Sequence, residues 1–487
     1  MLNRIKRGRL ILVLVICLSA TAFAQNIPLF TEDFTAEEFS DRRDKVFDAI
    51  GQNAIAVLQG EPSPRGYTRF RQSNEFYYLT GIEVPHAYLL LDGSSRRAAL
   101  YLPHRNEGRE SGEGKMLSAE DRELITKDRG FQAVYGSDLL AEHLARLARR
   151  PNTVAYTPFS PPEGYAESRD LGLRVQMDVA SDAWDGGLPR HVRFRNSLAA
   201  RIPDLEIKDL SPMLDQMRLI KSPAELELIR QATRLSGLAL MESMRSTEPG
   251  MKEYELDAVA KYVFYRNGGQ GDAYYSLIAT AQNAYFPHYH KGKGTMKDGD
   301  FLLMDYAPDY GYYMSDVTRM WPVNGKFSSD QRDLYGFYLA CYKSILYNIE
   351  SGKTASEIAQ KAVKEMEQHL AKATFSKEIY KNAATRFVDS YKAGAGRRTT
   401  LGHWVGMATH DVGRIEGPLK AGMVFTIEPQ LRVPEEMIYI RLEDLVIIHE
   451  NSVEIVSEFV PMDIDSIEKL MKETGMSQRY PVEKRTP

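Results

Sequence analysis

The sequence predicts a two-domain protein, α/β over its first half and α+β over its second. Three observations predict this. The length of 487 residues exceeds what one core fills at ~100 to 200 residues per domain. Before about Pro203, short apolar runs alternate with stretches of helical spacing, and from about Leu210 capped helices are followed by apolar runs that end in acidic residues. Hydrophobic residues make up 43% of the chain and aromatic ones 10%, enough for packed cores and too much for a disordered chain.

At the start, Arg4, Lys6, Arg7 and Arg9 precede the apolar run Leu10 to Leu18, and Ala22-Phe23-Ala24 supplies a small-residue cleavage site. Residues 1–24 therefore read as a secretory signal peptide, and a periplasmic or extracellular product is expected. The run is shorter than the ~20 residues of a membrane span, and no later stretch reaches that length, so no membrane attachment is expected after cleavage. With 62 Lys+Arg against 66 Asp+Glu the chain is slightly acidic, and more so without the leader, which argues against nucleic acid as a partner. Of the two cysteines Cys17 leaves with the leader, so no intramolecular disulfide is available. Cys341, in the helix-like run Tyr338 to Tyr342, is expected to be a buried, inert thiol.

In the first domain, residues 25–205, the bounded apolar runs Ala54 to Leu58, Tyr88 to Leu91, Ala98 to Leu102 and Val154 to Tyr156 suit buried strands. Ser118 to Asp128 and Ser137 to Arg149 have helical spacing between them, which predicts a mostly parallel or mixed sheet. In the second domain, residues 206–470, Ser222-Pro223-Ala224-Glu225 is a capping box with proline at the first helical position. Leu226, Ile229, Ala232, Leu235 and Leu238 then form one core-facing stripe. Another helix runs from Lys252 to Gly268-Gly269, and strands are expected at Phe301 to Met304, Met423 to Ile427 and Met437 to Ile440. Ser351-Gly352-Lys353-Thr354 ends like a phosphate-binding loop, but Tyr347 stands where its first glycine is required, so a helix-initiating turn is expected. Residues 471–487 are expected to form a C-terminal tail.

No His-Glu-x-x-His, Cys-x-x-Cys or Gly-x-Ser-x-Gly motif occurs, so any chemistry comes from dispersed residues. Asp305 follows the apolar run Phe301 to Met304, and Asp316 sits among aromatic residues in Gly311 to Arg319. Further on, His403 lies in Gly402-His403-Trp404, Glu428 ends the run Met423 to Ile427, and Glu443 follows Met437 to Leu442. Four carboxylates and an imidazole at the ends of apolar strands repel one another if gathered without cations. Two divalent ions would neutralise them, and an oxygen-rich set with one imidazole favours manganese, cobalt, iron or zinc over soft metals.

The order Asp305, Asp316, His403, Glu428, Glu443 resembles the five metal ligands of the pita-bread metallopeptidases. Tyr313 to Arg319, Pro322 to Phe327, His410-Asp411-Val412-Gly413, Ile427-Glu428-Pro429 and Ile440 to Asp444 narrow the likeness to the Xaa-Pro aminopeptidase (aminopeptidase P) type. Phe70 to Gly81 is similar to that family's creatinase-like N-terminal domain, so the resemblance spans nearly the whole chain after the leader. It implies a two-domain creatinase/aminopeptidase architecture whose catalytic domain has two related halves, and assembly as a homodimer or homotetramer. It implies that Asp316 and Glu443 bridge two ions, manganese first among the four metals, with Asp305 on one and His403 and Glu428 on the other. The implied reaction is exopeptidase hydrolysis of the N-terminal Xaa-Pro bond through a metal-bridging hydroxide, with Glu428 moving protons. His288 and His410 match family histidines that contact substrate or stabilise the tetrahedral intermediate, His290 is a surface neighbour, and Arg441 orients Glu443 or the substrate or makes a structural salt bridge.

The chain departs from the family pattern at Thr399, where a histidine usually lines the proline pocket, at Gln430 in place of glycine, and at Arg432 in place of an aromatic residue. These spare the ligands and bear on peptide length and strictness for proline. A prolidase-like dipeptidase, or another amide or ester hydrolase on the same fold, is the alternative, and a metal-free binding protein is a remote one.

Overall fold

The computed structural model describes residues 29–481, so the expected signal peptide lies outside the described residues. Among those residues no helix is long and apolar enough to cross a membrane. The first domain is built on a six-stranded mixed sheet ordered β4-β3-β2-β1-β5-β6. Its strands are β1 (Ala54–Gln59), β2 (Tyr88–Asp92), β3 (Arg97–Leu102), β4 (Ala133–Gly136), β5 (Val154–Thr157) and β6 (Glu206–Asp209). The central strands β1 to β3 are antiparallel neighbours, while β4, β5 and β6 join in parallel, which is the mixed sheet the apolar runs predict. Both faces are covered, so β1 and β3 bury nearly every residue rather than alternate.

The second domain opens with the helix Pro223–Ser246, and its predicted capping box is present: the Glu225 amide donates to Ser222 Oγ at 3.3 Å and the Ser222 amide to Glu225 Oε2 at 2.8 Å. Thr354 caps the helix Ala355–Lys372 in the same way, so the Ser351 to Thr354 segment is the expected helix-initiating turn. Cys341 is fully buried within the helix Ser329–Leu346, and burial pushes its thiol up to about 12.

The remaining strands are β7 (Gly271–Asp272), β8 (Leu277–Thr280), β9 (Phe301–Asp305), β10 (Pro308–Asp309), β11 (Thr318–Pro322), β12 (Val424–Ile427), β13 (Gln430–Val433), β14 (Ile438–Arg441), β15 (Asp444–Ile448) and β16 (Val453–Ile455). Two antiparallel three-stranded sheets, β11-β9-β8 and β12-β15-β16, are joined by an isolated bridge between Thr318 and Glu443. Arg319, with no exposed surface, reinforces the joint by donating to Asp444 Oδ1 at 2.6 Å and to the Glu443 carbonyl at 2.8 Å. Past residue 470 the chain forms one more short helix, Met476–Arg479, whose first amide donates to Glu242 at 2.6 Å and to Ser246 Oγ at 2.9 Å. The segment expected as a tail is therefore tied to the long helix at its start.

The two domains meet over the segment Phe70 to Gly81. Tyr77 stacks on Tyr312 with ring centroids 3.6 Å apart, and the Arg71 guanidinium lies over Tyr312 and donates to Asp309 at 2.6 Å. These contacts hold Tyr312 at φ +72°, a conformation a tyrosine rarely adopts unaided. Behind them lies a buried ion network. Arg218 donates to Glu163 at 2.6 Å and to Asp411 at 2.5 Å, Lys221 to Asp411 at 3.0 Å, and Arg169 to Glu75 at 2.7 Å and to Asp215 at 2.9 Å.

Candidate metal centre

Strand register sets the centre. In β9 and β11 Asp305 pairs with Thr318, which places Asp305 beside the turn carrying Asp316. In the other sheet Ile427 pairs with Asp444, so Glu428 and Glu443, one residue beyond and one before, emerge at the same end. His403 precedes the bridge between Trp404 and Phe425 on β12 and enters from the open side.

Asp316, His403 and Glu443 each direct one donor atom to a common point, all within 4.8 Å of one another. His403 Nε2 lies 3.4 Å from Asp316 Oδ2, 3.5 Å from Glu428 Oε1 and 3.7 Å from Glu443 Oε1. Asp305 and Glu428 are drawn instead to Arg441, which forms an ion pair with Asp305 and lies 3.4 Å from Glu428 Oε2. Arg441, expected to orient Glu443 or the substrate or to make a structural salt bridge, thus pairs with Asp305 and Glu428. Glu443 Oε2 is held by Thr318 Oγ1 at 2.7 Å, because the bridge between their backbones leaves these side chains adjacent.

Electrostatics show what the site lacks. Burial, then the charges of Glu443 and Asp305, pushes Asp316 well above the usual carboxylate range, and burial chiefly raises Asp305. Burial and Glu443 push Glu428 up to about 7. Burial opposes the His403 cation, but the Asp316 and Glu443 carboxylates outweigh it and raise the imidazole. Two further observations fit a bound cation. Glu443 Oε1 is buried without a hydrogen-bond partner. The Tyr274 hydroxyl touches Asp305 Oδ1 at 2.6 Å and Asp316 Oδ1 at 2.7 Å, although it has one proton to give. A hard, acid-rich set with an orphaned oxygen suits divalent ions.

His410 packs on His403 with ring centroids 4.2 Å apart, and its Nδ1 is bound at 3.1 Å to Asp170 of the first domain. Burial and the neighbouring His403 lower its pKa. His288 is more exposed, and partial burial with the Arg441 charge lowers its pKa too. His290 is exposed and touches the His288 carbonyl, as expected of a surface neighbour.

Tyr274, Thr318 and Asp170 were not legible as site residues, since their partners lie far along the chain. For Tyr274 a signal existed: an aromatic hydroxyl just ahead of β8, the strand paired with β9. No such signal marks Asp170.

The profile of "Metallopeptidase family M24" matches residues 227–450, and that of "Aminopeptidase P, N-terminal domain" matches residues 39–156. The second domain therefore carries an M24 metallopeptidase domain, and the first an aminopeptidase P N-terminal domain. It is 29% identical over 453 residues to a Xaa-Pro aminopeptidase of Haemophilus influenzae, covering 89% of this chain and 97% of that one. A zinc-substituted aminopeptidase P from Escherichia coli in complex with product superposes with a TM-score of 0.70 at 26% identity, covering 90% of this chain and 98% of the other. A putative aminopeptidase P from Bacillus anthracis shares the fold, with a TM-score of 0.76 at 23% identity and coverage of 91% and 100%. These comparisons bear out the two-domain architecture expected from the motifs and the assignment as a metallo-aminopeptidase.

Proposed function

We propose that this protein is an exported, two-metal Xaa-Pro aminopeptidase. The observation that carries the reading is the convergence of Asp316, His403 and Glu443 within 4.8 Å, with Glu428 3.5 Å from the same imidazole nitrogen. Asp305, Asp316, His403, Glu428 and Glu443 would hold the ions, manganese being the first candidate. Bound there, divalent ions supply an activated water and polarise the scissile carbonyl. Glu428, at the mouth of the set, takes the water's proton and delivers it to the leaving proline nitrogen. His410, its Nδ1 fixed by Asp170, keeps Nε2 for the substrate carbonyl, and His288 lines the opposite approach.

Cleavage after Ala24 belongs to the same proposal, on the basic start, apolar run and Ala-x-Ala site. So does assembly as a homodimer or homotetramer, which the strongly exposed Leu173, Val175, Met177 and Trp184 favour.

The test is a panel of Xaa-Pro and Xaa-Ala di- and tripeptides assayed with protein whose metal content has been measured. Release of the first residue from Xaa-Pro peptides, with two ions per chain, is the expected result. Metal-loaded protein that leaves every Xaa-Pro peptide intact would overturn the reading.

A further inference from the structure

Beside the metal centre, on the side of Glu428, the structure has a cavity of about 450 Å³ that none of the chemistry above uses. Its walls include Arg386, Arg398, Arg432, Tyr391 and Glu428. The helix Glu378–Ala395 brings Arg386 and Tyr391, the turn after it brings Arg398, and β13 brings Arg432. We infer that this cavity is an anion subsite, which takes a carboxylate carried by the substrate on the C-terminal side of the cleaved bond.

Direction follows from the proton transfer, so the inference rests on the function proposed above. Glu428 must stand next to the leaving nitrogen to protonate it, and whatever follows that nitrogen in the peptide extends to the Glu428 side. There the available charge is positive. Arg398 and Arg432 pair with no carboxylate among the described residues, whereas Arg386 lies 3.6 Å from Glu435 at the rim. Both unpaired guanidiniums are held by aromatic faces. Arg398 lies 4.2 Å from the Tyr391 ring centroid, and Arg432 4.8 Å from that of Tyr439. Stacking occupies the planes and turns the N–H edges outward, where Arg432 Nη2 meets only the Gln430 side-chain oxygen at 3.3 Å, the geometry in which guanidinium binds carboxylate through paired hydrogen bonds. Arg398 Nε is buried and has no acceptor, a donor left waiting for one.

Two sources supply such a carboxylate: the C-terminus of a di- or tripeptide, or an acidic side chain just beyond the proline. Three pairs of substrates separate them on the metal-loaded full chain. Xaa-Pro and Xaa-Pro-Ala are compared as free acids with their C-terminal amides, and Xaa-Pro-Glu-Ala amide with Xaa-Pro-Gln-Ala amide. The parent is expected to favour the charged member of at least one pair by about tenfold or more in kcat/KM, the range of a charge-assisted hydrogen bond. In Arg398→Gln and in Arg432→Tyr that ratio should fall towards one, with the loss mainly in KM. The dissociation constant of the prolyl product, measured by calorimetry as acid and amide, should lose the same discrimination. Equal rates on the charged and neutral members of all three pairs by an enzyme that does cleave Xaa-Pro bonds would overturn the subsite and leave the function intact. So would a ratio that survives both substitutions. Absence of Xaa-Pro cleavage altogether would instead remove the function on which the subsite rests.

Discussion

The metal centre and the domain joint hold the same number of buried or half-buried acids under opposite arrangements. At the joint Glu75, Glu163, Asp215 and Asp411 face Arg169, Arg218 and Lys221, all supplied by the chain. At the centre Asp305, Asp316, Glu428 and Glu443 have Arg441 and a histidine; raised carboxyl groups occur in both places, but only the centre leaves a buried carboxylate oxygen, Glu443 Oε1, without a partner. Burial opposes charge in both places, so what differs is the source of compensation. An acid cluster that brings its own cations serves folding, and one that lacks them is built for ions from solution.

The largest expected effect is at the centre. Asp316→Asn or Glu443→Gln should cut kcat/KM by far more than the ~10 to 100-fold lost with supporting partners of a metal ligand, and each should lower the metal content read by elemental analysis. Parental turnover with two ions bound would erase the distinction between the clusters. Chelation should depress the thermal midpoint of the parent, whereas excess metal should raise it by mass action.

At the joint, Asp411→Asn should destabilise the fold by about 3 to 5 kcal/mol in denaturant titration, because buried Lys221 loses its carboxylate while Arg218 keeps Glu163 and Glu75. Burial alone would raise Asp411, but those two cations outweigh it and hold its pKa below the ordinary value of 3.8. A depressed carboxyl contributes stability above the unfolded pKa and loses it as pH falls through the folded one. The gap between parent and variant should therefore be full at neutral pH and close below about pH 3.8. A gap that widened on acidification would show that the network is not held by this charge.

A smaller effect comes from Tyr274→Phe, expected to weaken metal binding by about 10 to 100-fold while leaving the denaturation midpoint of the metal-free protein nearly unchanged. The smallest lies in the surplus acid of the joint, where four carboxylates meet three cations. Burial and Glu163 push Glu75 up to about 7, so folding favours its protonated form. That contribution is complete below the ordinary value of 4.5 and lost as pH rises through about 7. Glu75→Gln should therefore gain on the parent between pH 5 and pH 8, and a constant difference across that range would place the surplus proton elsewhere.

What could be read from the chain beforehand follows the locality of each signal. Asp305, Glu428 and Glu443 announce themselves because a charge at the end of an apolar run is a local pattern, and the capping boxes at Ser222 and Thr354 are complete within a few residues. The role of Asp411 was not legible although it adjoins His410. Its cations, Arg218 and Lys221, stand 193 and 190 residues away, and only the folding of the second domain brings them together. Arg441 shows the same limit in miniature: its position next to Glu443 is plain, but which carboxylates it meets is decided by the turn of β14.

The hydrogen bond from His410 to Asp170 crosses from one domain to the other, and so do the contacts of Glu163 and Arg169 with the network around Arg218 and Asp411. The two domains therefore complete one another's polar groups. A chimera that joins this catalytic half to a foreign first domain keeps these contacts only if Glu75, Glu163, Arg169 and Asp170 travel together as a block.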